Sequence, residues 1–382
     1  MRSRAWLALV AGGLGACGGK DTIEPPADLV NFDPTLEIRE VWSVQLGGGS
    51  ERLRLGLAPA TDGTRIFAGS HDGTAAAFGL EDGDLLWSVD SELRLAAGPG
   101  VGSGIVVFGT SDGSLLALDA ETGEERWHHP VGSEVLSAPV VGDEAVVFRS
   151  VDGRLNAVSV EDGAELWTIV QSMPTLTLRG NSSPIVLGDI VVAGFDNGRV
   201  GNYAMEFGQQ NWEIQLASPA GRSEIDRLVD VGVDLEVFGN DVYAATFQGR
   251  AASLDLATGG VLWQQDFSSF TGIGVDFQNV YVTSDVSTVV ALNRLNGSEA
   301  WRQDGLRMRD VTAATRFRET VVVADYEGYV HFLSGADGSF LARQRAASAQ
   351  ITMQPLSLGP LLFVQSEDGT IAALEISDGR PR

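Results

Sequence analysis

Short β-branched and aromatic runs, each followed by a turn dipeptide, set the pattern of this chain. Ile105-Val106-Val107-Phe108 leads to Asp112-Gly113, and Ala145-Val146-Val147-Phe148 leads to Asp152-Gly153. Asp-Gly and Asn-Gly supply the positive-φ positions of tight hairpins, so each run reads as a strand entering a turn. Ser114-Leu115-Leu116-Ala117-Leu118-Asp119 reads as the returning strand, and the glycine of Thr122-Gly123 turns the chain into a third strand carrying Trp127. A repeated unit of this kind, about 40 residues long, predicts a four-stranded propeller blade.

The tryptophans mark the repeat. Beyond Trp6 they fall at 42, 87, 127, 167, 212, 263 and 301, at intervals of 45, 40, 40, 45, 51 and 38. From Trp87 onward a glycine stands four residues earlier (Gly83, Gly123, Gly163, Gly208, Gly259, Gly297), and a further unit has Gly338 with Ala342 in the tryptophan slot. A second turn precedes each glycine, from Asp72-Gly73 to Asp368-Gly369, and counting these turns gives eight units. One blade cannot bury both faces of its sheet, so the blades must stack around an axis with the tryptophan wedged between neighbours. Trp42 lies on a strand with no preceding blade, and Asp378-Gly379 is a turn with no tryptophan strand after it. The two halves fit. The expectation is an all-β, eight-bladed β-propeller of four-stranded antiparallel blades over residues 37–380, its ring closed by the N-terminal strand near Val41–Val44; seven blades is the alternative count.

Charge narrows the partners. The 382 residues hold 51 acidic and 26 basic side chains, a net charge of −25, and Lys20 is the only lysine. Such an acid excess repels phosphate backbones, which excludes nucleic-acid binding. Four histidines and one cysteine rule out a disulfide framework and leave too few ligands for a His/Cys metal cage. At the N-terminus, Met1-Arg2-Ser3-Arg4 precedes an apolar stretch from Ala5 to Ala16 and then Cys17. A basic start, a short apolar region and small residues before a cut predict a secretory signal over residues 1–16, too short to span a bilayer. Leu14-Gly15-Ala16-Cys17 resembles the bacterial lipobox, which implies acylation of Cys17 and attachment through acyl chains alone. Gly18, where Asp would signal inner-membrane retention, implies the outer membrane. Residues 17–36 are polar with Pro25-Pro26 and Pro34 and read as an acylated tether.

Ala117-Leu118-Asp119-Ala120-Glu121-Thr122-Gly123, running on to Trp127, resembles the Ala-x-Asp-x-x-Thr-Gly-x-x-x-Trp repeat of the quinoprotein-like propellers. That repeat occurs in enzymes and non-enzymes alike, so it points to a fold rather than an activity. Two segments exceed the repeat: Pro174-Thr175-Leu176-Thr177-Leu178-Arg179-Gly180 and Ser223-Glu224-Ile225-Asp226-Arg227-Leu228-Val229-Asp230. Extra length in a propeller falls in loops, where binding usually sits. With Asp196-Asn197-Gly198-Arg199-Val200 and Asp325-Tyr326-Glu327-Gly328-Tyr329, they are similar to the BamB family, the lipoprotein propellers of the outer-membrane β-barrel assembly machinery. The resemblance implies a non-catalytic scaffold on the periplasmic side of the outer membrane. It would dock on the periplasmic POTRA region of BamA beside other Bam subunits, support folding of barrel proteins and offer strand edges to unfolded ones. It also implies that Leu176, Leu178 and Arg179 match a Leu-x-Leu-Arg contact element and that Asp230 matches the first acid of an Asp-x-Asp. The second acid is replaced by Gly232, with Asp234 nearby. Leucines, a bidentate arginine and rim acids suit a docking surface. The alternative reading has Leu176 and Leu178 alternating on a strand toward the core, and Glu224, Asp226 and Arg227 shaping their own loop as ion pairs.

Two other functions compete. A quinone-dependent dehydrogenase shares the repeat, but its adjacent cysteine pair and calcium ligands find no counterpart here, nor does a His-Glu-x-x-His motif occur. His128-His129 follows a repeat tryptophan and reads as solvated outer strand. No catalytic residue, cofactor or metal is expected. A glycan- or peptidoglycan-binding propeller would need exposed aromatics along the central channel.

Overall fold

The computed structural model describes residues 24–51, 53–177, 182–218, 230–231, 234–269 and 271–377. Every regular element among them is a β-strand, and the strands form eight separate sheets. In chain order the blades span residues 60–90, 95–130, 140–170, 185–215, 236–267, 273–303, 315–345 and, for blade 8, 356–376. Within each, the chain runs up and down from an inner strand to an outer one. Blade 8 contributes only its three inner strands; Ile38–Gln45 is the fourth, with Ile38 opposite Ile376 and Gln45 opposite Thr370. Eight blades and closure by the N-terminal strand are therefore as the repeat predicts.

Up-and-down order gives the ring two unlike faces. One carries the turns between first and second and between third and fourth strands; we call it the repeat face. The other, the crossover face, carries the turns between second and third strands and the connections from each outer strand to the next blade.

The repeat face explains the Gly-to-Trp spacing. Each indole N–H donates to a backbone carbonyl of the following blade: Trp42 to Leu80, Trp87 to Ala120, Trp127 to Val160, Trp167 to Met205, Trp212 to Leu256, Trp263 to Arg294 and Trp301 to Gly335, at 2.7–3.1 Å. The turn that offers the carbonyl also holds the repeat glycine. Gly123 has φ +74°, and a Cβ added there would lie 2.7 Å from the ring of Trp87, the preceding blade's tryptophan. Positive φ and close backbone approach demand glycine at the same position. The glycine four residues before one tryptophan thus serves another, one blade back.

Ala342 breaks the series for a reason. Blade 8 takes its third and fourth strands from opposite ends of the chain, so it has no turn to receive an indole. Ala342 is buried beside Leu374, and Leu36, Ile38 and Ile376 fill the space.

Blade 2 departs from four strands. Gly56–Leu57 pairs parallel with Ala97 and Gly98, adding a fifth strand at its inner edge. After closing the ring on the outside, the chain must cross to the inner strand of blade 1, and it meets the unpaired channel edge of blade 2 on the way. Leu55 and Leu57 bury there, while Arg54 pairs with Asp310 from the connection between blades 6 and 7. This segment covers part of the channel mouth on the crossover face.

Candidate functional site

Both long insertions are outer-to-inner connections on the crossover face, at residues 171–184 and 216–235, and they bracket blade 4. Leu178, Arg179, Glu224, Asp226 and Arg227 lie outside the described residues. Leu176 is 43% exposed, as are Val170 (69%) and Met173 (38%) just before it in the chain. Asp230 is placed differently, at 1% exposure, so its position is that of a loop support rather than a rim acid.

Three polar networks root the insertions. At the first, Gln171 donates to Glu213 Oε2 (2.6 Å) and to the Tyr203 hydroxyl (3.2 Å), Tyr203 donates to Glu213 (3.0 Å), and Asn197 Nδ2 donates to Gln171 Oε1 (3.2 Å). Arg199 pairs with Glu213 from the outside. Burial opposes ionisation of Glu213, but the bonds from Arg199, Gln171 and Tyr203 outweigh it and hold the carboxyl below its usual range. Burial, then the Glu213 carboxylate, pushes the Tyr203 phenol up, so it acts as a hydrogen-bond donor. Asp196-Asn197-Gly198-Arg199-Val200, one of the family-like segments, is the hairpin that feeds this network.

Beneath it lies a buried ion pair. Arg149 NH2 is 2.9 Å from Asp196 Oδ1, both side chains almost without exposure, and the guanidinium stacks 5.5 Å from the Phe195 ring. Arg149 also donates to the Ser182 carbonyl at 3.4 Å, so it ties the end of the first insertion to blades 3 and 4.

The third network joins the two insertions. Asp234 Oδ1 accepts the backbone N–H of Ser183 at 2.6 Å, linking the end of one loop to the end of the other. Burial raises the pKa of Asp234 against that bond and the Arg149 charge. Glu236, two residues on, is raised to about 7 by burial and then by Asp234. Asp234, the acid nearest the Gly232 position, is an internal link between the ends of the loops. Nothing in residue type or spacing signals this; only the fold brings residues 183 and 234 together.

Asp325-Tyr326-Glu327-Gly328-Tyr329 forms a separate cluster on blade 7. Asp325 is fully buried and lies 2.8 Å from Arg309 and 2.9 Å from His331 Nε2, while Arg343 Nε donates to His331 Nδ1 at 3.2 Å. Because Nδ1 accepts, the His331 proton resides on Nε2, facing Asp325. Burial lowers the His331 pKa despite Asp325, which keeps the ring neutral.

No arrangement of catalytic type appears among these residues. Gly109-Thr110-Ser111-Asp112-Gly113 has the Gly-x-Ser-x-Gly spacing of a nucleophile elbow. It is a strand–turn–strand hairpin between Ile105–Thr110 and Ser114–Asp119, and Ser111 N donates to the Arg94 carbonyl. A nucleophile elbow needs a strand–turn–helix. Of the adjacent histidines, His128 is exposed on an outer strand. On the repeat face, a groove of about 750 Å³ is lined by Phe238, Val275, Phe277, Arg316 and Leu341, away from both insertions.

The sequence profile described as "Outer membrane protein assembly factor BamB" matches residues 71–303 and 287–382. The chain belongs to the BamB family. Among curated members it is 45% identical to the outer membrane protein assembly factor BamB of Pseudomonas aeruginosa over 97% of this chain and 98% of that one. It is 46% identical to that of Alkalilimnicola ehrlichii over 95% and 94%. The crystal structure of BamB from Moraxella catarrhalis superposes with a TM-score of 0.81 at 26% identity, covering 89% of this chain and all of that one. A quinohemoprotein alcohol dehydrogenase from Comamonas testosteroni gives 0.72 at 12% identity over 90% of this chain and 77% of that one, a likeness of fold alone. The fold is thus shared with an enzyme, while the whole-chain sequence match lies with the BamB family.

Proposed function

We propose that this BamB-family chain is a non-catalytic scaffold subunit of the outer-membrane β-barrel assembly complex. It docks on the periplasmic POTRA region of BamA through the two insertions, and acyl chains on Cys17 hold it at the periplasmic face of the outer membrane. The observation that carries this reading is that the described ends of the two insertions lie on one face, on either side of a single blade, and are joined by Asp234. Loop ends fixed to a ring and to each other are suited to holding a partner's domain in one orientation, since less order is lost on binding. Leu176, with the exposed Val170 and Met173, offers an anchor; Leu178, Arg179, Asp226 and Arg227 complete the proposed contact, with Asp230 as its buried support.

The test is co-purification of the tagged, full-length protein from detergent-solubilised outer membranes, with partners identified by mass spectrometry. BamA and its companion subunits should appear in stoichiometric amounts. An acylated, membrane-bound protein that brings none of them down would overturn the scaffold reading.

A further inference from the structure

Residues 24–36 were read as a tether, yet they lie along the ring. Glu24 forms a bidentate pair with Arg307, both bonds 2.8 Å. Ala27 N donates to the Arg307 carbonyl at 2.9 Å, and the Ala27 carbonyl accepts from Arg309 NH1 at 3.0 Å. The Val30 carbonyl accepts from Arg343 at 3.0 Å. Phe32 stacks on Phe340, centroids 5.4 Å apart, with the Arg343 guanidinium 5.2 Å from the Phe32 ring. Thr35 and Leu36 N–H groups both reach the Leu341 carbonyl on the outer edge of blade 7. Arg309 and Arg343 are also the arginines that flank the buried Asp325–His331 pair, so the strap is tied to a core cluster as well as to the surface side chain of Arg307.

The direction of this strap has a geometric consequence. Arg307 and Arg309 belong to the connection between blades 6 and 7, on the crossover face; Ile38, where the closing strand begins, pairs at the repeat-face end of blade 8. The chain therefore reaches the ring at the crossover face and runs down the outside of blade 7. Cys17 precedes Glu24 by seven residues, a reach of at most roughly 25 Å when fully extended. That is far shorter than a free tether ending at residue 36 would permit.

We propose that the strap orients the ring on the membrane: it turns the crossover face, with both insertions, toward the lipid surface and holds the rim at blade 7 closest to it. A partner domain seated on the insertions, three blades round from the strap, then lies between ring and bilayer. This rests on acylation of Cys17 as read above.

The test uses full-length acylated protein in outer-membrane lipid vesicles containing a lipid-attached quencher. A fluorophore is placed at Ser348→Cys, exposed on the crossover face, or at Ala336→Cys, exposed on the repeat face of the same region; acylation leaves the new cysteine as the sole thiol. The two positions stand about a strand length apart, roughly 20 Å. Ser348→Cys should be quenched several-fold more than Ala336→Cys. Adding Glu24→Arg and Phe32→Asp, which release the strap without touching the ring, should erase the difference while leaving the melting temperature within a few degrees. Equal quenching at the two positions in acylated protein with an intact strap would overturn the proposal alone. Protein that carries no acyl mass and washes off the vesicles would sink the anchor reading, and the proposal with it.

Discussion

On the repeat face, seven glycines with φ between 66° and 74° lie against seven indoles, one pair at each blade junction except that between blades 7 and 8. The crossover face adds to its repeated turns four side-chain contacts that each occur in one place: Arg149–Asp196 under the first insertion, Asp234–Ser183 between the two, Arg309–Asp325–His331 on blade 7, Arg54–Asp310 at the channel mouth. The difference separates what closes a propeller from what distinguishes this one. A device copied at seven of eight junctions serves the ring. A buried charge network found at one junction is costly to assemble, and here such networks gather where the chain departs from its repeat.

The comparison can be broken most sharply at Arg149. Arg149→Ala leaves Asp196 buried without its cation and should cost about 3–5 kcal/mol, read by denaturant unfolding. Arg154→Ala removes a largely exposed pair with Asp152 at 3.3 Å and should cost under about 1 kcal/mol. Similar losses for both would mean that the crossover networks are no more than surface decoration.

Next comes the repeat face itself. Gly123→Ala meets both a positive φ and the Trp87 ring, for an expected loss of about 3 kcal/mol. Gly104→Ala has φ +76° but nothing within 4 Å of the added Cβ, so only the backbone cost of about 1–2 kcal/mol remains. If thermal unfolding ranks the two equally, the indole contact contributes nothing.

Glu236 gives a pH signature. Its folded pKa, about 7, is above the unfolded value, so the folded state binds the extra proton; this contribution is fully present below about pH 4.5 and is lost as pH rises through 7. Glu236→Gln should therefore abolish a decline in stability of the order of 1–3 kcal/mol between pH 5 and 7.5. An unchanged pH profile in the variant would place the carboxylate in water.

The smallest effect on stability is expected at the proposed contact. Arg179→Glu should leave the melting temperature unchanged yet weaken binding to a purified BamA periplasmic fragment at least about tenfold, or 1.4 kcal/mol. Retained affinity would remove Arg179 from the docking surface, and a large fall in melting temperature would make it structural.

Blade number, ring closure and the location of both insertions were legible in the chain because they depend on local rules: Asp-Gly turns, β-branched runs, and a tryptophan every 38–51 residues. Each blade repeats those rules, so the signal is averaged over many copies. The candidate site was legible only in part. Leu176 was named and is exposed; Asp230 was named for a rim and is buried. The link from Asp234 to Ser183, the pair of Arg149 with Asp196 and the strap of residues 24–36 on blade 7 had no signal in spacing. Their partners stand 51, 47 and roughly 300 positions apart, and a charged residue in so acidic a chain looks the same in water as in a buried pair. The sequence by itself determined the ring, since period and turn chemistry act between neighbours along the chain. Which charges are buried, which loops are joined and from which face the N-terminal segment leaves were decided only when the ring closed, because closure brings together residues whose separation along the chain carries no information about their contact.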